Sequence, residues 1–398
     1  MKKGGLQESN SDICVYIHIP FCKSKCLYCD FVSYVNFPHI EEYFEAVLKE
    51  LEMYSHLLNS RGVKTVYFGG GTPNFVPERY IEKILKKLEK LSGVYEPVEI
   101  TLEMNPDSVT IRKVLHYLEM GINRISLGVQ AFDDIVLEMV KRPHGTGEID
   151  RALSILMTYF ENVNIDFILG LPMETDKTIE RDMKLLETYT PSHVSLYLLD
   201  VDEETPLRRL IDKGVLKLPS EEEIARRHTR FLKFLEKKGY LRYEISNFAR
   251  EGKECIHNLS YWKNEEYLGI GVSSGGHIGR LRYVNVGDIS EYMKMVNKGI
   301  VPYGYKRVNG DDEEFVETIF MSLRLREGVY KEEIIKKFGD KRYRALQEFA
   351  ERFREHFNVH SDRISLSEMG FDLSRYVFKE LLETFSKKGW WKFAPYTS

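Results

Sequence analysis

The sequence predicts an α/β protein: a parallel sheet or barrel built from six strand–helix units, followed by a small, mainly helical, winged-helix-like domain. Six short β-rich runs carry the first part of that expectation: Val15–Ile19, Thr65–Phe68, Glu99–Met104, Arg124–Val129, Asn164–Leu169 and His193–Leu199. Segments with helical spacing lie between them, such as Glu41–Leu58, Glu78–Leu91, Ile111–Met120 and Thr178–Thr188. Strands that alternate with helices run parallel, because each crossover returns the chain to the same end of the sheet. The second observation is a change of composition after Arg307, where an acidic entry at Asp311 opens a further helix; acidic side chains suit a helix N-terminus. The third is size: 398 residues with 43% hydrophobic and 30% charged side chains suffice for two or three domains with real cores.

Charge and cysteine usage narrow the function classes. Lys and Arg number 57 against 61 Asp and Glu, a formal net charge of −4, so a nucleic acid is not expected as a partner. No run of about 18 apolar residues is present, so no transmembrane segment is expected. The opening MetLysLysGlyGlyLeuGlnGluSerAsnSerAsp lacks the apolar centre of a signal peptide, and a cytoplasmic protein is expected. Five cysteines in a chain this long make no disulfide framework. Three of them fall together, and in a reducing compartment such clustering points to metal or redox chemistry.

Those three, Cys22, Cys26 and Cys29, have C-x3-C-x2-C spacing. Thiolates are the ligands of iron–sulfur clusters, and three on one loop leave the fourth iron of a [4Fe–4S] cluster open. That iron could chelate the amino and carboxylate groups of S-adenosylmethionine (SAM). The alternative, structural zinc, wants four ligands, usually in C-x2-C pairs, and no second pair is present. In parallel barrels functional groups sit on loops after the strands. The cysteines follow the first strand, Gly69-Gly70-Gly71-Thr72-Pro73 the second, Glu103 closes the third, Gln130 the fourth, and Asp166 lies in the fifth. Glycines let backbone approach a ligand closely, though a triplet also makes a plain turn. Glu103 and Asp166 could bind an ammonium or ribose hydroxyls, or be capping or solvated residues. Gln130 and Arg142 carry no signal by themselves.

TyrIleHisIleProPheCys (16–22), PheGlyGlyGlyThrPro (68–73), GluMetAsnPro (103–106), SerLeuGlyValGlnAlaPhe (126–132), LysArgPro (141–143) and AsnIleAspPheIleLeuGlyLeuPro (164–172) stand in this order. Together they resemble the oxygen-independent coproporphyrinogen III oxidase family of radical SAM proteins. The resemblance implies an incomplete (β/α)6 radical SAM barrel over 1–240, a connecting segment over 241–307 and a C-terminal helical domain of that family over 308–398. By motif position it implies that Tyr16, Gly70, Gly71, Thr72, Glu103, Gln130, Arg142 and Asp166 line the SAM site. Radical chemistry there would draw on an electron donor such as a flavodoxin or ferredoxin.

The family has two branches: oxidases that decarboxylate the propionates of coproporphyrinogen III, and HemW-type heme chaperones that keep the SAM cluster and bind heme for an acceptor protein. The oxidases have a further cysteine where this chain has Phe31, and a longer N-terminal extension than the 15 residues that precede Tyr16. His257-Asn258-Leu259-Ser260-Tyr261-Trp262 matches the HisAsnxxTyrTrp motif of the chaperone branch, and ThrIlePheMetSerLeuArgLeuArgGluGlyVal (318–329) matches its C-terminal domain. TyrLeuGlyIleGlyValSerSerGlyGlyHis (267–277) also follows that branch, with slight departures at Val272 and Gly276. A heme chaperone without coproporphyrinogen oxidase activity is therefore the leading expectation. An oxidase, or a radical SAM enzyme on an unrelated substrate, are the alternatives, and the HisAsnxxTyrTrp segment disfavours the latter. A neutral imidazole is a common axial heme ligand, so His257 is the expected heme contact; otherwise it is a packing residue hydrogen-bonded in the core. The tail LysLysGlyTrpTrpLysPhe (387–393) reads as tryptophans packed on the last helix or as a membrane-interface anchor.

Overall fold

All six β-rich runs are strands in the structure, a computed structural model that describes residues 12–392. The polar N-terminal run up to Ser11 and Phe393 lie outside the described residues. The strands are β1 (Ile13–Ile19), β2 (Gly62–Gly70), β3 (Val94–Met104), β4 (Arg124–Gln130), β5 (Val163–Leu169) and β6 (His193–Leu198). They pair in sequence order and all parallel. β1 and β4 are buried almost throughout, which is what helices outside and a filled interior impose on a parallel strand. The crossover helix α1 (Ile40–Met53) buries Tyr43, Phe44 and Val47, and α2 (Arg79–Leu91) buries Ile81, Ile84, Leu85 and Leu88, a stripe at i, i+3, i+4 and i+7.

Six more strands extend the sheet: β7 (Leu241–Arg242), β8 (Asn247–Ala249), β9 (Tyr267–Ile270), β10 (Gly275–Ile278), β11 (Leu281–Asn285) and β12 (Tyr303–Val308). The twelve-stranded order is β12-β11-β10-β9-β1-β2-β3-β4-β5-β6-β8-β7. The stretch expected as a connection is thus woven into both edges of the sheet. β9 lies parallel beside β1, and β8 antiparallel beside β6, so the six-stranded arc continues outward on each side. A short helix, α3 (Ile256–Trp262), lies between β8 and β9 in the chain.

One apolar core runs from Ile13 to Val296 and a second from Phe315 to Trp391. The second belongs to a domain of helices with a three-stranded sheet, Val329–Tyr330 beside Arg363–Leu366 beside Phe357–Val359. The tail tryptophans pack inward: Trp390 stacks on Phe385 at 5.6 Å, and Arg307 sits 4.9 Å over Trp391. Among the described residues no helix is long and apolar enough to cross a membrane.

Candidate functional site

The loop that carries the three cysteines is closed at its base by a short parallel pairing, Phe21 with Tyr34 and Cys22 with Val35. Inside it the Cys29 amide donates to the Cys26 carbonyl, the Leu27 amide to the Val140 carbonyl, and the Leu207 amide to the Leu27 carbonyl. His18 anchors the far end: its Nε2–H donates to the Val32 carbonyl at 3.0 Å, which leaves Nδ1 to accept from the Tyr16 hydroxyl at 3.1 Å. The loop after β2 is pinned on top of this. The Gly71 amide donates to the Ile19 carbonyl and the Thr72 amide to the Phe21 carbonyl, each at 2.9 Å. A Cβ on Gly71 would lie 2.8 Å from the Phe21 amide nitrogen, and one on Gly70, at φ +109°, 2.5 Å from the His18 ring. Glycine is required at both positions.

Cys22, Cys26 and Cys29 line a cleft of about 570 Å³ at the C-terminal ends of the strands. Gly70, Gly71, Thr72, Glu103, Gln130, Arg142 and Asp166 line the same cleft. Residues 22 to 166 converge here because parallel strands deliver all their following loops to one end. Tyr16 lies one layer deeper, stacked on Tyr67 at 6.0 Å. Thr72 Oγ1 lies 3.5 Å from Cys22 Sγ, and Arg142 Nη1 3.5 Å from Cys26 Sγ.

The donor set fits an iron–sulfur cluster. Among the described residues no three His, Cys, Asp or Glu side chains gather tightly enough to hold a single metal ion. The cysteines instead surround one space, as ligands of a multi-atom cluster must. Burial pushes the Cys29 thiol up to about 11 and also raises Cys22, so loading a cluster displaces protons from them.

The other cleft groups fit a polar ligand. Gln130 sits at φ +71° with its buried Oε1 unpartnered; a strained residue with an unmet acceptor is a mark of a binding site. Burial pushes the Glu103 carboxyl up to about 7, helped by the Asp166 charge and opposed by the Tyr67 hydroxyl and Gly70 amide. Burial likewise raises Asp166, against hydrogen bonds from Ser195, Asn164 and Ser126.

His257 is not in the cleft. It is fully buried on α3, its Nδ1 2.7 Å from Thr65 Oγ1 and its Nε2 2.8 Å from the Tyr261 hydroxyl. Burial, with the Arg124 and Lys64 charges, holds it down to about 3. Both nitrogens are committed, and the residue expected as the heme contact is in this structure a buried tie between α3 and β2.

Sequence reasoning passed over three residues. Asn105 gives its Nδ2–H to Thr72 Oγ1 at 3.1 Å and takes a bond from Arg142 Nη2 at 2.8 Å, so it joins three loops. Its place in the GluMetAsnPro motif was the available signal. Tyr67 donates to Glu103 at 2.8 Å, and alternation along β2 from Gly69 could have pointed to it. Arg124, almost wholly enclosed beneath Glu103 and Asp166, had no such signal.

The radical SAM superfamily model matches residues 16–186, and proteins of that superfamily hold a [4Fe–4S] cluster and SAM. The chain is 35% identical to the heme chaperone HemW of Bacillus subtilis over 81% of its length and 86% of that protein's. To the heme chaperone HemW of Lactococcus lactis it is 32% identical, over 95% and 98%. In fold it is similar to the coproporphyrinogen III oxidase of Escherichia coli, with a TM-score of 0.81, 21% identity and coverage of 93% and 90%. The chain belongs to the HemW family of the radical SAM superfamily.

Proposed function

We propose that this protein is a heme chaperone: it binds heme beside a SAM-chelated [4Fe–4S] cluster and passes it to an acceptor protein. The observation that carries this is the similarity over nearly the whole length of curated HemW chaperones. In this reading Cys22, Cys26 and Cys29 hold the cluster. Arg142 keeps a cation against Cys26, and Thr72 a hydroxyl against Cys22. Gly70, Gly71, Thr72, Glu103, Gln130, Arg142 and Asp166 hold SAM, with Tyr16 supporting them from below. The cluster, when bound and reduced, supplies an electron that can cleave the SAM sulfonium. The carboxylates of Glu103 and Asp166 meet the ammonium or the ribose hydroxyls, and Gln130 Oε1 takes one further donor.

Heme needs a flat apolar wall, and the cleft mouth has one in Phe31, Ile168, Leu198, Leu199 and Val201. Phe31 is 59% and Leu198 50% exposed; apolar side chains left in water at a cleft mouth mark a ligand surface. Phe31 also occupies the position of the oxidases' further cysteine. A cytoplasmic location, an acceptor protein, and an electron donor such as a flavodoxin or ferredoxin belong to the same reading.

The test uses reconstituted, reduced protein under anaerobic conditions. One arm titrates heme and then adds an apo-haemoprotein; the other supplies SAM and coproporphyrinogen III. Stoichiometric heme binding, transfer to the apo-protein and no decarboxylated porphyrin is the expected outcome. Multiple turnovers of coproporphyrinogen III would overturn the chaperone reading.

A further inference from the structure

Helix α3, which carries His257-Asn258-Leu259-Ser260-Tyr261-Trp262, stands outside the cleft but packs on a residue, Tyr67, that bonds the cleft carboxylate Glu103. On β2, Thr65, Tyr67 and Gly69 share one face, as alternate strand residues do. His257 pairs with Thr65 at 2.7 Å, and its ring centroid lies 5.1 Å from that of Tyr67. Tyr16, on the neighbouring strand β1, also packs on Tyr67, with 6.0 Å between centroids and the rings inclined by 29°. Tyr67 is thus packed against two rings. Its hydroxyl donates to Glu103 Oε1 at 2.8 Å, while the Gly70 amide donates to Oε2 at 3.1 Å. The fit is close: a Cβ on Gly69 would lie 3.0 Å from the Tyr67 ring and 3.1 Å from the Glu103 carboxyl.

The helix is itself well fixed. Glu99 accepts the Ile256 and His257 amides, each at 3.0 Å, which satisfies the first turn of α3. Tyr261 closes on the far side of the imidazole, 4.9 Å between centroids and edge-on. Both imidazole nitrogens are occupied, and the ring lies against Tyr67.

We propose that His257 is a positioning residue for the cofactor site: fixed between Thr65 and Tyr261, it holds Tyr67 so that the Tyr67 hydroxyl keeps the Glu103 carboxylate turned to SAM in the cleft. This rests on the reading of Glu103 as a SAM ligand. It gives the HisAsnxxTyrTrp helix a task in SAM binding in place of heme ligation.

The experiment uses full-length protein with its cluster reconstituted. SAM affinity is measured by equilibrium dialysis, heme affinity by titration, cluster content by iron analysis, and the response of the reduced cluster's EPR spectrum to SAM is recorded. Tyr67→Phe and His257→Ala should each weaken SAM about tenfold, the size of one lost hydrogen bond to a charged group. Both should keep wild-type iron content and heme affinity, and both should blunt the EPR response. His257→Gln, whose amide can still bond Thr65 or Tyr261, should recover part of the affinity. The double variant Tyr67→Phe/His257→Ala should bind SAM no more weakly than Tyr67→Phe alone, because the two act in series. If His257→Ala does not fold, Tyr67→Phe, which removes a single hydroxyl, carries the test. Wild-type SAM affinity in Tyr67→Phe, with Glu103→Gln impaired, overturns the relay and leaves the SAM site standing. Wild-type affinity in Glu103→Gln overturns both. Loss of heme with SAM binding intact in His257→Ala returns the helix to heme and overturns the proposal.

Discussion

Arg142 Nη1 lies 3.5 Å from Cys26 Sγ, across 116 residues of chain. The same guanidinium donates through Nη2 to Asn105 Oδ1 at 2.8 Å and to the Gly128 carbonyl at 2.6 Å. One guanidinium therefore ties the loop after β3 and the end of β4 to the cysteine loop and sets positive charge beside a cluster sulfur. The two tasks are separable, because the first depends on shape and bonding and the second on charge.

The charge has a measurable consequence. Hydrogen bonds and net charge near the sulfurs set a cluster's reduction potential, and a neighbouring cation favours the added electron. Arg142→Gln keeps donors for Asn105 and loses the charge. Its cluster should be reduced at a potential more negative by on the order of tens of millivolts. A redox titration followed by EPR checks this, and an unchanged potential would show that the guanidinium serves only to join the loops.

Two glycines make an opposed pair. Gly71→Ala places a Cβ against the Phe21 and Ile19 backbone, which cannot yield without shifting the cysteine loop. Both SAM binding and cluster retention should fall. Gly147, within the helix Thr146–Tyr159, has nothing within 4 Å of its Cβ position. Gly147→Ala should raise stability by about 0.5–1 kcal/mol, since alanine loses less backbone entropy on folding. Thermal melts of both variants, with iron content, check the contrast.

Cluster loading depends on the thiolates themselves. Cys26→Ala should lose the absorbance near roughly 400 nm that thiolate-ligated iron gives. A cluster retained at full iron content would remove Cys26 from the ligand set.

The strands and the cleft residues were legible because their signals are local: alternating β-rich runs, a cysteine spacing, glycines after a strand. His257 was not. A histidine among aromatics has the same local sequence whether it faces a ligand or a core, and only the third dimension shows Thr65 and Tyr261 on its two nitrogens. Arg124 escaped for a related reason. At the start of a strand a cation reads as solvent-facing, yet β4 is enclosed on both faces and turns that position inward. The strands within 241–307 were hard to read because they are short and their partners distant: β9 pairs with β1, some 250 residues earlier in the chain.

Glu50 on α1 predicts a pH dependence of stability. It is fully buried and accepts from the Tyr292 hydroxyl, the Gly271 amide and Asn285 Nδ2. Burial pushes its carboxyl up to about 7, against those hydrogen bonds. Below its ordinary value of 4.5 the group is protonated in both folded and unfolded chains, and stability is at its fullest. Between 4.5 and about 7 the unfolded chain ionises first, so stability falls as pH rises, by about 3 kcal/mol in all, and levels off above. Glu50→Gln should lose this component. Urea unfolding of both proteins from pH 5 to 8 checks it; parallel curves would mean the carboxyl titrates normally.

The two cores meet through buried charge, which predicts how they unfold. Arg282 of β11 donates to Glu317 at 3.0 Å, on the helix Asp311–Ser322, and both are almost wholly buried. Arg282 also bonds Asn264, which in turn donates to Glu314 and Thr318, each at 2.9 Å. A buried pair is expensive to break, because the remaining ion keeps its desolvation penalty: about 3–5 kcal/mol. Arg307 and Asn309 also face Glu317, so Arg282→Met should cost about 3 kcal/mol, near the lower end. The loss falls on the junction and not on either apolar core. Calorimetry of Arg282→Met should therefore show the C-terminal domain melting ahead of the sheet, as two transitions. Adding Glu317→Leu should draw them part of the way back together, because it removes the carboxylate that Arg282→Met leaves uncompensated, while Arg307 loses its own pairing with that carboxylate. A single transition in Arg282→Met, lowered as a whole, would mean that the junction is held by its apolar contacts and that the ion pair does not couple the cores.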